Sequence, residues 1–280
     1  MQNISRRSFL AASAVGAAAL TAKPAAAGEF TGRIKKAVKY GMISGDIPAV
    51  EKLKMIKDLG YDGVEPGVGN DKEAAELLDA SEKTGIPIHG VVNGSVSNIP
   101  RAIDRAVMYG SSSVLLVAGR VNEKMSYADN YEQTQQTIRE AIPYAAEKKI
   151  MLLVENVWNN FLFSPLEMAR YLDELESEWV GCYFDVGNIV RIGYPEHWIP
   201  VLGDRIKKLD IKEYSTKKQN DEGLWKGFDV KIGDGSIDWA AVRRELTAIS
   251  YEGWATAEVG GGGRERLEDI AKRMDNVLDL

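Results

Sequence analysis

Eight short apolar runs, each followed by an amphipathic stretch of helical spacing, recur from residue 37 onward, and this alternation restricts the fold of the chain more than any other feature. The runs are AVKYGMI (37–43), YDGVEP (61–66), IPIHGVV (86–92), SVLLVAG (113–119), IMLLVEN (150–156), GCYFDVG (181–187), IKKLDIKEY (206–214) and GWATAEV (253–259). Parallel strands need crossover connections and cover on both faces, so the pattern predicts a parallel sheet wrapped by helices. Helix starts are marked along the way. Asp46 precedes an apolar stripe of Val50, Leu53, Ile56 and Leu59 that stops at Gly60, and Ser164-Pro165-Leu166-Glu167 offers a cap, a proline at the first helical position and a glutamate at the third. Asn98 ahead of Ile99-Pro100 and Asp238 ahead of Val242 and Leu246 mark two more. Eight such units in roughly 250 residues predict an α/β fold, the (β/α)8 TIM barrel. An open doubly wound sheet is the alternative, but no G-x-G-x-x-G follows the first run.

The first 27 residues stand apart. Ser5-Arg6-Arg7-Ser8-Phe9-Leu10 leads into AASAVGAAALTA and an A-x-A end at Ala25 to Ala27, the anatomy of a cleaved twin-arginine export signal. Residues 1–27 are therefore expected to be a signal peptide, residues 28–280 a single barrel domain, and the periplasm its destination. The apolar run is too short to span about 30 Å of hydrocarbon, and no later stretch is long enough, so no stable membrane anchor is expected. A net charge of -6 argues against nucleic acid as a partner, which would require clustered Lys and Arg. The single cysteine, Cys182, allows no internal disulfide and sits in a strand-like run, where core packing is its expected role.

In a barrel of this kind chemistry gathers at the C-terminal ends of the strands. Five acids occupy such ends: Glu65, Glu155, Asp185, Asp210 and Glu258. Side chains alternate between barrel interior and helix-facing side along each strand. Leu152 and Val154 would then pack under helices while Leu153 and Glu155 point inward; Leu209 and Ile211 would face helices while Asp210 and Lys212 point inward; Thr256 and Glu258 would share the inner face. Taken singly, each acid could instead pair with Lys212, Arg191 or Arg264 on the rim. Four inward carboxylates on strands 5 to 8 repel one another, and a divalent cation resolves the conflict.

The phrases GYDGVE (60–65), LLVEN (152–156), YFDVGN (183–188), GDRIKKLDIKEY (203–214), IGDGSIDW (232–239) and SYEGWATAE (250–258), in this order, resemble the sugar isomerase/epimerase superfamily with the xylose-isomerase-like barrel, which includes the ketose 3-epimerases. The resemblance implies one divalent metal ion held by Glu155, Asp185, the position of Asp210, and Glu258. Asp210 departs from the family, which usually has histidine there within an H-x-K-[DE] phrase; Lys212 and Glu213 keep the rest of it. An all-oxygen ligand set suits Mn²⁺ or Mg²⁺, with Co²⁺ and Zn²⁺ as alternatives. The implied catalytic pair is Glu155 and Glu258, one removing a proton beside a carbonyl and the other returning it, while the metal stabilises the enediolate.

The partner implied is a small-molecule sugar, with Glu65, His89, Asn188, Lys212, Trp225 and Arg264 expected around it. Lys212 has a second reading as counter-charge to the acids, Trp225 as rim packing. The GGGGRER turn (260–266) reads either as a phosphate or carboxylate cradle or as a flexible turn, and residues 215–231 as a lid or a homo-oligomer contact. Export favours a non-phosphorylated substrate. Two other functions fit the same residues: a lyase or hydratase on an oxidised (3-keto) sugar or glycoside, and an exported carbohydrate-binding barrel without catalysis. The superfamily's multi-metal DNA repair nuclease uses many histidines, whereas this chain has only His89 and His197.

Overall fold

Residues 28–280 are described by the computed structural model, and the export signal expected over residues 1–27 lies outside the described residues. The parallel strands are β1 (Ile34–Lys39), β2 (Gly63–Glu65), β3 (Val91–Val92), β4 (Ser113–Leu116), β5 (Met151–Glu155), β6 (Val180–Asp185), β7 (Ile206–Ile211) and β8 (Gly253–Ala257). They run β2-β1-β8-β7-β6-β5-β4-β3, and isolated bridges Val64–Ile88 and Gly67–Val92 join the two ends into a nearly closed barrel. Between and after the strands lie α1 (Ala49–Asp58), α2 (Asp71–Thr84), α3 (Ile99–Tyr109), α4 (Tyr127–Lys148), α5 (Pro165–Asp173), α6 (Val186–Ile189), α7 (Pro195–Leu202), α8 (Thr216–Glu222), α9 (Trp239–Ala248) and α10 (Arg264–Leu278). Among the described residues no helix is long and apolar enough to cross a membrane.

The strands are shorter than the apolar runs, most of all β3. Pro66 and Pro87 interrupt the seam between β2 and β3 because neither can donate a ladder hydrogen bond. Their carbonyls still accept, from Val92 and Val64 respectively. Ser164 and Asp238 cap their helices as expected, accepting from the amides of Glu167 and Ala241. Two expected caps fail. Helix α1 begins after Pro48 with no side-chain cap, leaving Asp46 outside it, and Asn98 adopts a left-handed conformation (φ 51) without a capping bond.

Alternation sorts the core into two. Leu152, Val154, Cys182, Phe184, Leu209 and Ile211 join the large cluster between sheet and helices, whereas Leu115, Leu153 and Tyr183 form a small cluster inside the barrel. Full burial of each such aliphatic side chain stabilises the fold by about 1.5–3 kcal/mol. Polar groups share the interior with that small cluster: Lys39, Glu65, His89, Lys208, Asp210 and Thr256 are all buried.

The turn before α10 is tied to the end of β1. The Gly262 amide donates to Met42 O at 3.0 Å and Gly262 O accepts from Ser44 at 3.0 Å, while a Cβ on Gly261 would overlap the Met42 backbone. It is a staple between the ends of β8 and β1. Residues 215–231 fold as α8 and a 3-10 turn (Leu224–Phe228), held by Ser215 N–H to Gly227 O at 2.8 Å and by the Tyr214 hydroxyl to Leu224 O at 2.8 Å.

Candidate active site

Four of the expected acids meet at the C-terminal end of the barrel. One oxygen from each of Glu155, Asp185, Asp210 and Glu258 lies within 4.8 Å of the others. Asp185 is the most firmly aimed. Its Oδ1 accepts from Asn188 N at 2.8 Å, and Asn156 clamps its backbone, accepting from Asp185 N at 2.9 Å and donating to Asp185 O at 2.7 Å. Asn188 Nδ2 in turn donates to Asn156 O at 3.0 Å.

Two lysines neutralise the cluster in part. Lys212 Nζ lies 2.9 Å from Asp185 Oδ2 and 2.8 Å from Glu258 Oε2, and Lys39 Nζ lies 2.9 Å from Asp210 Oδ1 and 2.6 Å from Glu65 Oε2. Burial works against both ammonium groups, but the surrounding carboxylates outweigh it and hold each above its ordinary pKa. Burial, then the charges of Glu258 and Asp185, push Glu155 well above the usual carboxylate range. Burial raises Asp210 strongly, with Glu258 and Glu155 adding to it and Lys39 opposing. Asp185 is raised by burial against the opposing pull of Lys212. Burial would also raise Glu258, yet Lys212 and Lys39 bring it below its usual value.

Below the acids, buried groups form a hydrogen-bond chain with one direction. Lys208, lowered by burial to about 8, remains largely an ammonium at neutral pH and can only donate, so His89 Nδ1 at 2.9 Å accepts from it. That assigns the His89 proton to Nε2, which faces Thr256 Oγ1 at 3.1 Å. The Thr256 hydroxyl then donates to Tyr183 OH at 2.9 Å, and Tyr183 donates to Glu65 Oε2 at 2.9 Å, the same oxygen that Lys39 holds. His89 stacks on Trp254, ring centroids 4.3 Å apart, and burial followed by Lys208 and Lys39 depresses its pKa well below the ordinary histidine value.

A cavity of about 600 Å³ opens above the cluster, lined on the acid side by Glu155, Glu258, Asn188 and Lys212 and farther out by Trp158, Trp225, Phe228, Asn159 and Arg120. Of the residues expected around a substrate, Asn188, Lys212 and Trp225 border it. Three do not. Glu65 and His89 are inward-facing but lie in the buried network, occupied by Lys39, Tyr183, Lys208 and Thr256. Arg264, its side chain 55% exposed, sits 3.7 Å from Asp58. Sequence reasoning passed over Lys39, Asn156, Trp158 and Phe228. Lys39 had a readable signal: it ends β1 as Glu155 and Asp185 end β5 and β6.

The donors suit a hard divalent cation. Asp210 Oδ2 is buried with no hydrogen-bond partner among the described residues, and Asp185 Oδ2 and Glu258 Oε2 meet Lys212 at ion-pair distance without hydrogen-bond alignment. Such oxygens retain lone pairs for a metal, and four of them from separate strands make an all-oxygen set.

Fold and site together define a (β/α)8 protein with an acidic centre at the strand ends. Residues 53–278 match the xylose isomerase-like TIM barrel family, and the chain belongs to it. It is 25% identical over 240 residues to a putative L-ribulose-5-phosphate 3-epimerase, SgbU, of Escherichia coli (strain K12), covering 75% of this chain and 83% of that protein. It is 24% identical over 266 residues to a 2-oxo-tetronate isomerase of Pectobacterium atrosepticum, covering 82% and 93%. Among solved structures, the 3-keto-D-glucoside 4-epimerase YcjR from E. coli superposes with a TM-score of 0.71 at 15% identity, over 88% of this chain and 100% of that one.

Proposed function

We propose that this chain is a divalent-metal-dependent sugar isomerase or epimerase that moves a proton beside a carbonyl through an enediolate, on a non-phosphorylated sugar or sugar derivative. The observation that carries this reading is the convergence of four carboxylates within 4.8 Å of one another, two of them glutamates that open onto one cavity. Relatives named as sugar epimerases and isomerases support the reaction class. A non-phosphorylated substrate is favoured at the one anion site that the sequence offered, where Gly262 is tied to β1 and Arg264 faces Asp58.

Glu155, Asp185, Asp210 and Glu258 would hold the ion, which when bound supplies Lewis-acid stabilisation of charge developing on the substrate oxygens. The remaining work falls to the chain. Glu155 and Glu258, the two glutamates that open onto the cavity, are the groups placed to remove a proton and to return one. Asn156 and Asn188 keep Asp185 fixed while this happens, and the aromatic wall of Trp158 and Phe228 limits water around the reacting carbon.

Turnover in deuterated water should place deuterium at the reacting carbon. Glu155→Gln and Glu258→Gln should each lower the rate by about 10² to 10⁴. Turnover without solvent deuterium would indicate a hydride shift, release of a leaving group a lyase, and untouched carbon-bound protons a binding protein.

Export by the twin-arginine route to the periplasm is part of the same proposal, resting on Arg6-Arg7 and the Ala-rich end at Ala27. Replacing both arginines with lysine should retain the protein in the cytoplasm, and unchanged export would overturn the assignment.

A further inference from the structure

We propose that the cavity contains a second carbohydrate subsite built on Trp225, which takes the sugar ring adjoining the one that reacts at the acids, so that the substrate is a glycoside or disaccharide. The inference rests on the carbohydrate reading above. Trp225 is 68% exposed although the segment that carries it is pinned by Ser215 to Gly227 and by Tyr214 to Leu224. Its exposure is therefore a built feature of the mouth. An indole face left open at the edge of a polar cleft suits the C–H face of a pyranose ring.

The aromatic rings have an order relative to the acids. Phe228 lies nearest, its centroid 5.6 Å from Lys212 Nζ, which itself contacts Asp185 and Glu258. Trp225 lies farther out, 6.4 Å from Phe228 between ring centroids. Trp158 buttresses both, 4.8 Å from Phe228 and 5.2 Å from Trp225. It is not itself available: its Nε1 donates to Asn188 O at 2.8 Å, and the Arg191 guanidinium covers it at 4.9 Å. A ring reacting beside Phe228 thus has its neighbour at Trp225.

The same cavity also carries a hydrogen-bond donor for sugar hydroxyls. Arg120 lines this cavity and supplies the donors of its guanidinium. A volume of about 600 Å³ lies within the range that holds ligands of several rings.

Titration of the full chain with cellobiose, maltose and trehalose against D-glucose, followed by tryptophan emission, tests the subsite. At least one disaccharide should bind about tenfold more tightly than glucose, the size of one well-stacked ring. Trp225→Ala should abolish that preference and Trp225→Phe should keep most of it. Equal affinities, a preference that survives Trp225→Ala, or no saturable disaccharide binding would overturn the proposal. Emission that ignores sugars but shifts with protein concentration would assign the face to a second copy of the chain and overturn it too. Deuterium exchange into a keto monosaccharide without any disaccharide preference would remove the subsite and leave the reaction standing; a disaccharide preference without exchange would do the reverse.

Discussion

The Lys39 ammonium lies 2.9 Å from Oδ1 of Asp210, and the Asp210 side chain is fully buried. The pair links the end of β1 to the inner face of β7 across β8, so the acidic centre is neutralised from a strand that contributes no acid to it. Asp210 therefore enters the centre with one oxygen engaged by an ammonium and the other, Oδ2, without a hydrogen bond among the described residues.

Removing one partner of a buried ion pair leaves an uncompensated charge, at a cost of about 3–5 kcal/mol. Lys39→Met should lower stability by that order in chelator-treated protein. Adding Asp210→Asn should recover part of the loss, with a coupling of about 1–3 kcal/mol in urea unfolding. Additive effects would separate the two residues.

Protein purified without chelator should carry about one equivalent of Mn²⁺ or Mg²⁺, following the logic of a single carboxylate site. Asp185→Ala combined with Glu258→Ala should abolish it, as measured by elemental analysis. A metal-free wild type with an intact fold would mean that Lys39 and Lys212 alone compensate the acids.

Asp210→His replaces an acceptor oxygen with an imidazole nitrogen, and the preference of the site should shift toward Zn²⁺ and Co²⁺. Competition between Mn²⁺ and Zn²⁺ in wild type and variant reads this directly. Unchanged selectivity would place Asp210 outside the coordination sphere.

The chain from Lys208 to Glu65 depends on the Thr256 hydroxyl, which serves His89 on one side and Tyr183 on the other. Thr256→Val keeps the shape but leaves the His89 Nε2–H without an acceptor and Tyr183 with its bond to Glu65 alone, at a cost of about 1–3 kcal/mol, whereas Thr256→Ser should stay near wild type. Nitrogen NMR should find His89 protonated at Nε2, and a proton at Nδ1 would reverse the chain.

Burial holds Lys208 at about 8, below the 10.5 of a free lysine. The unfolded chain then binds the additional proton between these values, so the contribution of this residue to stability rises as pH increases from 8 to 10.5, by at most about 3 kcal/mol. Unfolding of wild type and Lys208→Met at pH 8 and pH 10 should show the wild type gaining relative to the variant. Parallel pH dependences would mean that Lys208 keeps its proton throughout.

Much of the architecture was legible from strand and helix periodicity alone. Two-residue alternation placed Leu152 and Val154 under the helices and Leu153 with Glu155 inside, and position at a strand end brought out Glu155, Asp185, Asp210 and Glu258. Both signals are local, since the pleat decides the face and the end of an apolar run decides how far up the barrel a residue sits.

Residues that act through partners on other strands were not legible in this way. His89 shares the inward parity of a site residue, yet the stagger of the closed barrel sets it lower, against Trp254 and Lys208. Arg264 follows a glycine run that could have cradled an anion, but the run is consumed in stapling β8 to β1, and the side chain turns to Asp58. Parity fixes direction but not height, and height depends on register accumulated around eight strands. Sequence alone therefore determined the barrel, the inward faces and the four acids. Only the closed tertiary structure decided which lysines neutralise them and which aromatic rings flank them, because those neighbours meet through space across strands and loops far apart in the chain.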